Sequence, residues 1–249
     1  HTVTVTITGI NDAAVIGGDN SGAVTEDAAT PTLTDTGTLT ITDADAGEAS
    51  FQTTGITASS GALGSLSITS AGVWTYDVAN ADVQHLKAGE TKTETFTVLA
   101  TDGTSHTVTV TITGINDAAV IGGDNSGSVT EDAATPTLTD TGTLTITDAD
   151  AGEASFRTTG ITASSGALGS LSITSAGVWT YDVANADVQY LKDGETKTET
   201  FTVLATDGTS HTVTVTITGI NDAAVIGGDN SGAVTEDAAT PTLTDTGTL

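Results

Sequence analysis

The sequence predicts an all-β protein made of antiparallel β-sandwich domains joined in a linear array. Three observations lead to this prediction: a long internal repeat, short segments in which polar and apolar residues alternate, and turn-forming residues between those segments. The string HTVTVTITGINDAAVIGGDNSG begins at His1, again at His106 and again at His211, so the repeat is 105 residues long. A unit of that length is long enough to bury a core of its own. We therefore expect each repeat to fold as a domain.

The repeat also predicts the domain boundaries. Residues 1–105 and 106–210 differ at Ala23/Ser128, Gln52/Arg157, His85/Tyr190 and Ala88/Asp193. The chain starts within one strand-like segment and stops within another, so we interpret it as an excerpt of a longer protein. We expect the last strand and linker of a preceding repeat over residues 1–12, sandwich repeats over 13–117 and 118–222, and the first strands of a further, truncated repeat over 223–249.

Alternation of residue types predicts the strands of one repeat. In residues 107–113 Thr alternates with Val108, Val110 and Ile112, which is typical of a strand with one buried face. The Asp102-Gly103 pair is a hairpin signal between this strand and residues 94–100. Helical periodicity is absent except for one turn at residues 81–86. Further strands are expected over residues 14–17, 22–25, 36–42, 51–57, 65–69 and 72–78, which together predict an immunoglobulin-like sandwich of two sheets.

The composition argues against several classes of function. The chain has 32 Asp and Glu residues against 5 Lys and Arg residues, a net charge of −27. This charge repels nucleic acids and anionic membrane surfaces, so we expect neither nucleic-acid binding nor membrane insertion. The sequence contains no Cys, which excludes disulfides and thiolate metal sites. Bound cations would relieve the self-repulsion that weakens a compact fold of this charge.

The strand order brings acidic groups to the junctions between repeats. An acidic loop (residues 43–48 and 148–153) and a hairpin turn (102–103 and 207–208) are expected at the N-terminal pole of a repeat, beside the incoming linker. The Glu-Asp pair before the strand predicted at residues 36–42 is expected at the opposite pole. Ca²⁺ binds six to eight oxygen ligands in flexible geometry, whereas Zn²⁺ prefers Cys and His. We therefore predict Ca²⁺ sites with these ligands: Asn11, Asp12, Glu26, Asp27, Asp43, Asp45, Glu48, Asp102, Asn116, Asp117, Glu131, Asp132, Asp148, Asp150, Glu153, Asp207, Asn221 and Asp222.

The motifs of the repeat resemble those of a known family. GINDAAV, TEDA, TDADAGE, GVWTYDVANADVQHL and LKAGETKTETFTVLATDGTSH are similar to the VCBS repeat, a cadherin-like module found in tandem in large bacterial adhesins of the RTX type. In this chain IND is followed by Ala-Ala, where the family more often has Ala-Pro. The resemblance implies type I secretion, a place on the bacterial cell surface, and Ca²⁺ at the junctions. For the junction between the two full repeats it implies the ligands Glu26, Asn116, Asp117, Asp148, Asp150 and Asp207.

These observations favour a structural function over an enzymatic one. Our first hypothesis is an array of calcium-rigidified spacer repeats that projects the terminal binding domain of an adhesin. Its partners would be neighbouring repeats and, through other domains, a cell-surface or glycan target. A glycan-binding repeat is an alternative, because Trp74 and Tyr76 share one face of a strand and could stack on a sugar as well as fill the core. In a second alternative, a self-assembling filament, the strand at residues 1–10 completes a neighbour's sheet.

One group of residues could suggest catalysis. Asp102, Ser105 and His106 are close in sequence and could be imagined as a triad. They fall on a predicted hairpin, with no sequence signal for a pocket or an oxyanion donor. We therefore expect no enzymatic activity.

Overall fold

The computed structural model describes residues 1–26, 29–131, 135–236, 239 and 241–249. Within these residues the regular structure is β, apart from two short 3-10 helices, and no helix is long and apolar enough to cross a membrane. The elements of the first repeat are β1 (Val15–Gly18), β2 (Ser21–Thr25), β3 (Thr32–Thr42), β4 (Thr57–Ala58), β5 (Ser65–Ile68), β6 (Val73–Ala79), a 3-10 helix (Asn80–Asp82), β7 (Thr91–Leu99) and β8 (Ser105–Thr113). Those of the second are β9 (Val120–Gly123), β10 (Ser126–Thr130), β11 (Thr137–Thr147), β12 (Thr162–Ala163), β13 (Ser170–Ile173), β14 (Val178–Ala184), a 3-10 helix (Asn185–Asp187), β15 (Thr196–Leu204) and β16 (Ser210–Thr218).

Each repeat is a sandwich of two four-stranded sheets. In the first repeat one sheet has the order β1-β3-β6-β5 and the other has the order β2-β8-β7-β4. Strands β2 and β8 pair in parallel, and the other pairs are antiparallel. The second repeat has the same arrangement, with sheets β9-β11-β14-β13 and β10-β16-β15-β12. The predicted all-β class and the tandem sandwich are confirmed.

The β7–β8 hairpin shows how alternation builds the core. Its register places Phe96 opposite Val108, and the inward-facing Val110 and Ile112 are fully buried, while the Thr residues between them face away from the core. Trp74 and Tyr76 on β6 are also fully buried, and the Trp74 indole donates a hydrogen bond of 2.7 Å to the Asp19 carbonyl. These two aromatic side chains are therefore part of the core and do not form an exposed sugar-stacking surface.

Three predicted strand regions differ from the observed structure, one of which is residues 223–249, where the first strands of a further repeat are predicted and the described residues contain none. Residues 51–57 do not form a continuous strand: Phe51 makes an isolated bridge to Ala100, and β4 pairs with β7 over two residues. Residues 1–10 contain no strand, although their sequence repeats that of β8. A strand needs a neighbouring strand for its backbone hydrogen bonds. The described part of the chain places β2 and β7 beside β8 but no strand beside residues 1–10.

A charged side chain, Glu94 of β7, lies inside the sandwich and is 1% exposed. Its carboxylate accepts hydrogen bonds from the backbone amides of Leu63 (2.6 Å) and Gly64 (3.1 Å) and from the Tyr76 hydroxyl (2.9 Å). Burial, together with the neighbouring Glu94 carboxylate, raises the pKa of Tyr76. Because Tyr76 and Glu94 belong to opposite sheets, this network joins the two layers. Glu199 makes the same contacts in the second repeat.

Candidate metal centre at the domain junction

The linkers lie against acidic side chains at both poles of a repeat. At the N-terminal pole of the first repeat, the Asp12 amide donates to the Asp45 carboxylate (2.8 Å) and the Ala14 amide donates to the Asp102 carboxylate (3.0 Å). At the opposite pole, the Ile115 amide donates to the Glu26 carboxylate (3.0 Å). The acidic loop and the hairpin turn thus surround the incoming linker, and Glu26 holds the outgoing one.

The linker between the two full repeats is held from both sides. Ile115 is bound by Glu26 of the first repeat, whereas the Asp117 amide donates to Asp150 (3.0 Å) and the Ala119 amide to Asp207 (3.1 Å) of the second. Successive amides of an extended chain point in opposite directions, so amides two residues apart share a side. The amides of three alternate linker residues therefore donate to three carboxylates, one from the first repeat and two from the second.

These contacts assemble a compact cluster of carboxylates. One carboxylate oxygen from each of Glu26, Asp117 and Asp150 lies within 4.8 Å of the others. Glu26 and Asp150 are almost completely buried, with exposures of 1% and 2%. The cluster combines the end of one repeat, the linker and the acidic loop of the next repeat.

Several carboxylate oxygens at this junction are buried without a hydrogen-bond partner. They are Glu26 Oε2, Asp117 Oδ2, Asp148 Oδ2 and Asp150 Oδ1. In Glu26, Asp148 and Asp150 the other oxygen accepts a backbone amide, so that the free oxygens are the ones left for a ligand. A buried anionic oxygen without a partner is costly. A hard cation that prefers oxygen ligands, of which Ca²⁺ is the best example, fits this donor set.

The pKa values of Glu26 and Asp148 shift in the opposite direction from that of Asp207 in the hairpin turn. Loss of solvation raises the pKa of Glu26 and of Asp148, and nearby carboxylates raise both further. Burial opposes ionisation of Asp207 as well, but hydrogen bonds from Thr209, the Ala119 amide and the Asn116 side chain hold the pKa of Asp207 below its ordinary value. Asp207 is therefore stabilised as an anion by the protein, whereas the single backbone amide that each of Glu26 and Asp148 accepts does not offset the loss of solvation.

The N-terminal pole of the first repeat contains a related group. Asp43 Oδ2 and Glu48 Oε2 are buried without partners, and burial together with Asp45 and Asp43 raises the pKa of Glu48. Hydrogen bonds from Thr104, the Ala14 amide and the Asn11 side chain lower the pKa of Asp102. Asp102 is thus engaged by the turn and the linker, which gives no support to a triad with His106.

The remaining predicted ligands occupy different surroundings. Glu131 accepts the Ile220 amide (3.0 Å) and has one buried oxygen without a partner, but Asn221 and Asp222 beside it are exposed. Glu153 lies 3.8 Å from the Lys87 ammonium rather than in the cluster of Glu26, Asp117 and Asp150. The predicted ligands Asp27 and Asp132 lie outside the described residues.

The loop that precedes β7 takes part in the junction, although no residue of it was predicted to do so. The Ala151 amide donates to the His85 carbonyl (3.1 Å), and Lys87 pairs with Glu153, so this loop of the first repeat touches the acidic loop of the second. The strand order could have indicated this contact, because the connection from β6 to β7 ends at the same pole as Glu26. The sequence signal is Lys87 itself, one of only 5 basic residues in a strongly acidic chain.

The chain was compared with curated protein sequences and with solved structures. A comparison with curated protein sequences found no match. Among solved structures, the chain is similar to a protocadherin gammaB7 EC3-6 cis-dimer (17% identity, TM-score 0.45, covering 85% of this chain and 48% of that one). It is also similar to the protocadherin gammaB4 extracellular domain (18% identity, TM-score 0.45, covering 86% and 34%) and to the human desmocollin-1 ectodomain (10% identity, TM-score 0.33, covering 82% and 36%). The chain spans about half or less of the length of these structures.

The family itself is identified by sequence. The bacterial cadherin-like domain family matches residues 11–114 and again residues 116–219, which together make up well over half of the chain. The two matched segments each contain one complete set of eight strands. The chain therefore belongs to the bacterial cadherin-like domain family, of which it carries two tandem copies.

Proposed function

We propose that this chain is a run of calcium-rigidified spacer repeats, of the VCBS type, from a large secreted bacterial adhesin. The observation that carries the proposal is the set of buried, unpartnered carboxylate oxygens on Glu26, Asp117, Asp148 and Asp150. These oxygens come from two repeats and the linker between them, so their common ligand would join the two domains. Cadherin-like repeats in tandem are consistent with an extracellular structural or adhesive role.

The proposed mechanism depends on how the residues are distributed across the junction. Bound Ca²⁺ would supply the positive charge that the carboxylates lack. Glu26 would bind the cation from the end of the first repeat and Asp117 from the linker. Asp148 and Asp150 would bind it from the start of the second repeat. These oxygens come together in one relative orientation of the domains, whereas an interface between domains is otherwise small and mobile. A cation held by all of them would therefore favour an extended, rigid array.

The expected affinity suits a protein that is exported before it becomes rigid. Extracellular modules bind Ca²⁺ with dissociation constants of about 0.1–1 mM. At a hundredfold excess of ligand, each occupied site stabilises the folded state by about 2.7 kcal/mol. In a cytoplasm with little free Ca²⁺ the chain would be loosely folded and competent for type I secretion, and it would become rigid at the cell surface.

We assign the repeats to residues 13–117 and 118–222, with parts of adjoining repeats at residues 1–12 and 223–249. The partners of each repeat would be its neighbours, and a cell-surface or glycan target would be bound by other domains of the adhesin. No catalytic role is proposed. The burial of Trp74 and Tyr76 does not favour the glycan-binding alternative.

The test is a thermal melt of the chain in millimolar Ca²⁺ and in EDTA. We expect a higher melting temperature in Ca²⁺, and we expect the double variant Asp148→Asn/Asp150→Asn to reduce this shift. The matched control is Asp77→Asn/Asp182→Asn, which removes the same charge from residues that accept hydroxyl hydrogen bonds from Thr34 and Thr139 on the strands. Identical melts with and without Ca²⁺ would remove calcium from the mechanism. An equal loss in both double variants would show an effect of overall charge instead of a site.

A further inference from the structure

The junction contains a positive side chain as well as its carboxylates. The Lys87 ammonium of the first repeat lies 3.8 Å from Glu153 Oε1 of the second. Within the described part of the chain this is the only ion pair between a basic and an acidic side chain. Two positions away, the His85 carbonyl accepts the Ala151 amide at 3.1 Å. One short loop of the first repeat thus makes a backbone contact and an ionic contact with the acidic loop of the second.

The first repeat contains the same acidic loop, which makes no ion pair with a lysine among the described residues. The loop sequence TDADAGEAS occurs at residues 42–50 and at residues 147–155, so Glu48 and Glu153 are equivalent. Glu48 has a buried oxygen with no partner, and Asp45 and Asp43 add to the burial that raises its pKa. Glu153 has no such orphaned oxygen. The two loops therefore differ in the surroundings of this glutamate: the Lys87 ammonium lies near Glu153, whereas no ion pair to Glu48 is found among the described residues.

We propose that Lys87 is a built-in cation of the junction, which holds Glu153 outside the cluster of Glu26, Asp117 and Asp150 and so sets the number of carboxylates left for a bound cation. The pair also connects the two repeats before any metal binds. This inference rests on the proposed calcium site for its effect on affinity, but the connection between the repeats does not depend on that site.

The sequence around the lysine varies while the lysine itself is present in both repeats. Lys87 lies between His85 and Ala88, and the equivalent Lys192 lies between Tyr190 and Asp193. Two of the four differences between the repeats therefore flank this lysine. Asp193 places a competing carboxylate next to Lys192, so we expect the ion pair to be weaker at a junction that follows the second repeat.

The experiment compares Lys87→Gln with Lys192→Gln in the whole chain. Both variants lose the same charge, but among the described residues Lys192 makes no ion pair. Calcium binding is measured by isothermal titration calorimetry. Release of Glu153 into the cluster should tighten binding at the junction by about threefold in Lys87→Gln, a change typical of one partly exposed charge interaction. Lys87→Arg should behave as the unmodified chain, and Lys87→Gln/Glu153→Gln should lose the gain.

A second measurement tests, in the absence of calcium, whether Lys87 connects the two repeats. Since the sequence has no Cys, spin labels can be attached at Ser60→Cys and Ser165→Cys, equivalent exposed positions in the two repeats. In calcium-free buffer the distance distribution between the labels should broaden in Lys87→Gln and not in Lys192→Gln. High salt should broaden the distribution of the unmodified chain, because it screens the ion pair.

The outcomes separate this inference from the proposed function. Equal calcium affinity and equal label distances in the two lysine variants would overturn the role of Lys87, while leaving a calcium-dependent melt intact. If no variant binds calcium, the spacer mechanism fails, and the label distances alone decide whether Lys87 connects the repeats.

Discussion

Single carboxylates at the junction differ in how well the protein compensates their charge. Asp207 is surrounded by donors from Thr209, Ala119 and Asn116, and its pKa is lowered. For Glu26, burial together with Asp117 and Asp150 outweighs the Ile115 amide and the nearby His85, and its pKa is raised. This contrast indicates that Asp207 positions the linker, whereas Glu26 is available for a ligand.

Replacing Glu26 with Gln should separate these two contributions. Gln retains an oxygen that can accept the Ile115 amide but removes the buried charge. Without calcium we expect the variant to be more stable by about 1 kcal/mol, because an uncompensated buried charge is lost. With calcium the gain in melting temperature should shrink, since one ligand has lost its charge. The control is Glu131→Gln, which keeps the equivalent amide contact to Ile220 but has no acidic loop beside it in the described residues. Equal responses of the two variants in calcium would contradict the assignment of Glu26.

The raised pKa values also predict a pH dependence in calcium-free buffer. Glu26, Glu48 and Asp148 have folded-state pKa values above their ordinary ones, so the folded chain binds more protons than the unfolded chain in that range. Stability therefore falls as pH rises through it. Asp102 and Asp207 have the opposite sign, since their stabilisation is lost as pH falls through their lowered pKa values. The melting temperature should therefore rise between pH 7 and about pH 5 and fall below about pH 4.

Millimolar calcium should remove the rise on acidification, because the ligands must be ionised to bind it. The Glu26→Gln variant should show a smaller rise than the unmodified chain, which distinguishes this cluster from the general repulsion of a chain of charge −27. A melting temperature that increases steadily from pH 5 to pH 7 without calcium would contradict the prediction.

The residue types at the junction could be predicted from sequence, but their individual roles could not. Asp-x-Asp spacing and the order of strands were enough to bring Asp148, Asp150 and Asp117 to one place. Their individual roles depend on which carboxylate oxygen accepts a backbone amide and which is left without a partner. This is decided by the conformation of the folded linker. The pairing of Glu153 with Lys87 likewise depends on two loops that are distant in sequence.

At the scale of elements, the strands with clear alternation were the most predictable. Strands β7 and β8 begin and end within about three residues of their predicted limits, because the pleat places alternate side chains on one buried face. The segment at residues 51–57 has β-branched and aromatic residues but few strand partners, so local composition was a poor guide there. Glu94 was missed as a core residue, although it alternates with Phe96 and Val98, because an acidic side chain is rarely buried.

The contact between Glu94 and Tyr76 should stabilise the sandwich independently of calcium. In Tyr76→Phe the Glu94 carboxylate loses one donor inside the core while the packing volume is nearly unchanged. We expect a loss of about 1–3 kcal/mol in the free energy of unfolding, measured with denaturant, of the same size in calcium and in EDTA. Tyr181→Phe is the matched variant in the second repeat and should behave alike. A loss that appears only in EDTA would place the effect at the junction instead.

At the scale of the whole molecule, the two repeats lie in series with a short, hydrogen-bonded linker. A strand of 9 residues such as β8 spans about 30 Å, so each repeat with its linker should add about 40 Å to the length. Small-angle X-ray scattering in calcium should therefore give the profile of a rod. In EDTA the maximum dimension should vary and the mean radius of gyration should decrease. A profile that does not change with calcium would show that the linker contacts alone make the array rigid.

The parallel pairing of β2 with β8 has a consequence for mechanical load. The chain enters a repeat at one pole and leaves from the end of β8 at the other, while β2 runs beside β8 over five residue pairs from Ser21↔Thr109 to Thr25↔Thr113. A pull on the two linkers draws these strands in opposite directions along their length, so their hydrogen bonds are sheared together and do not open one after another. An array that is held at both ends and pulled along its length would therefore resist stretching most strongly at this pair of strands.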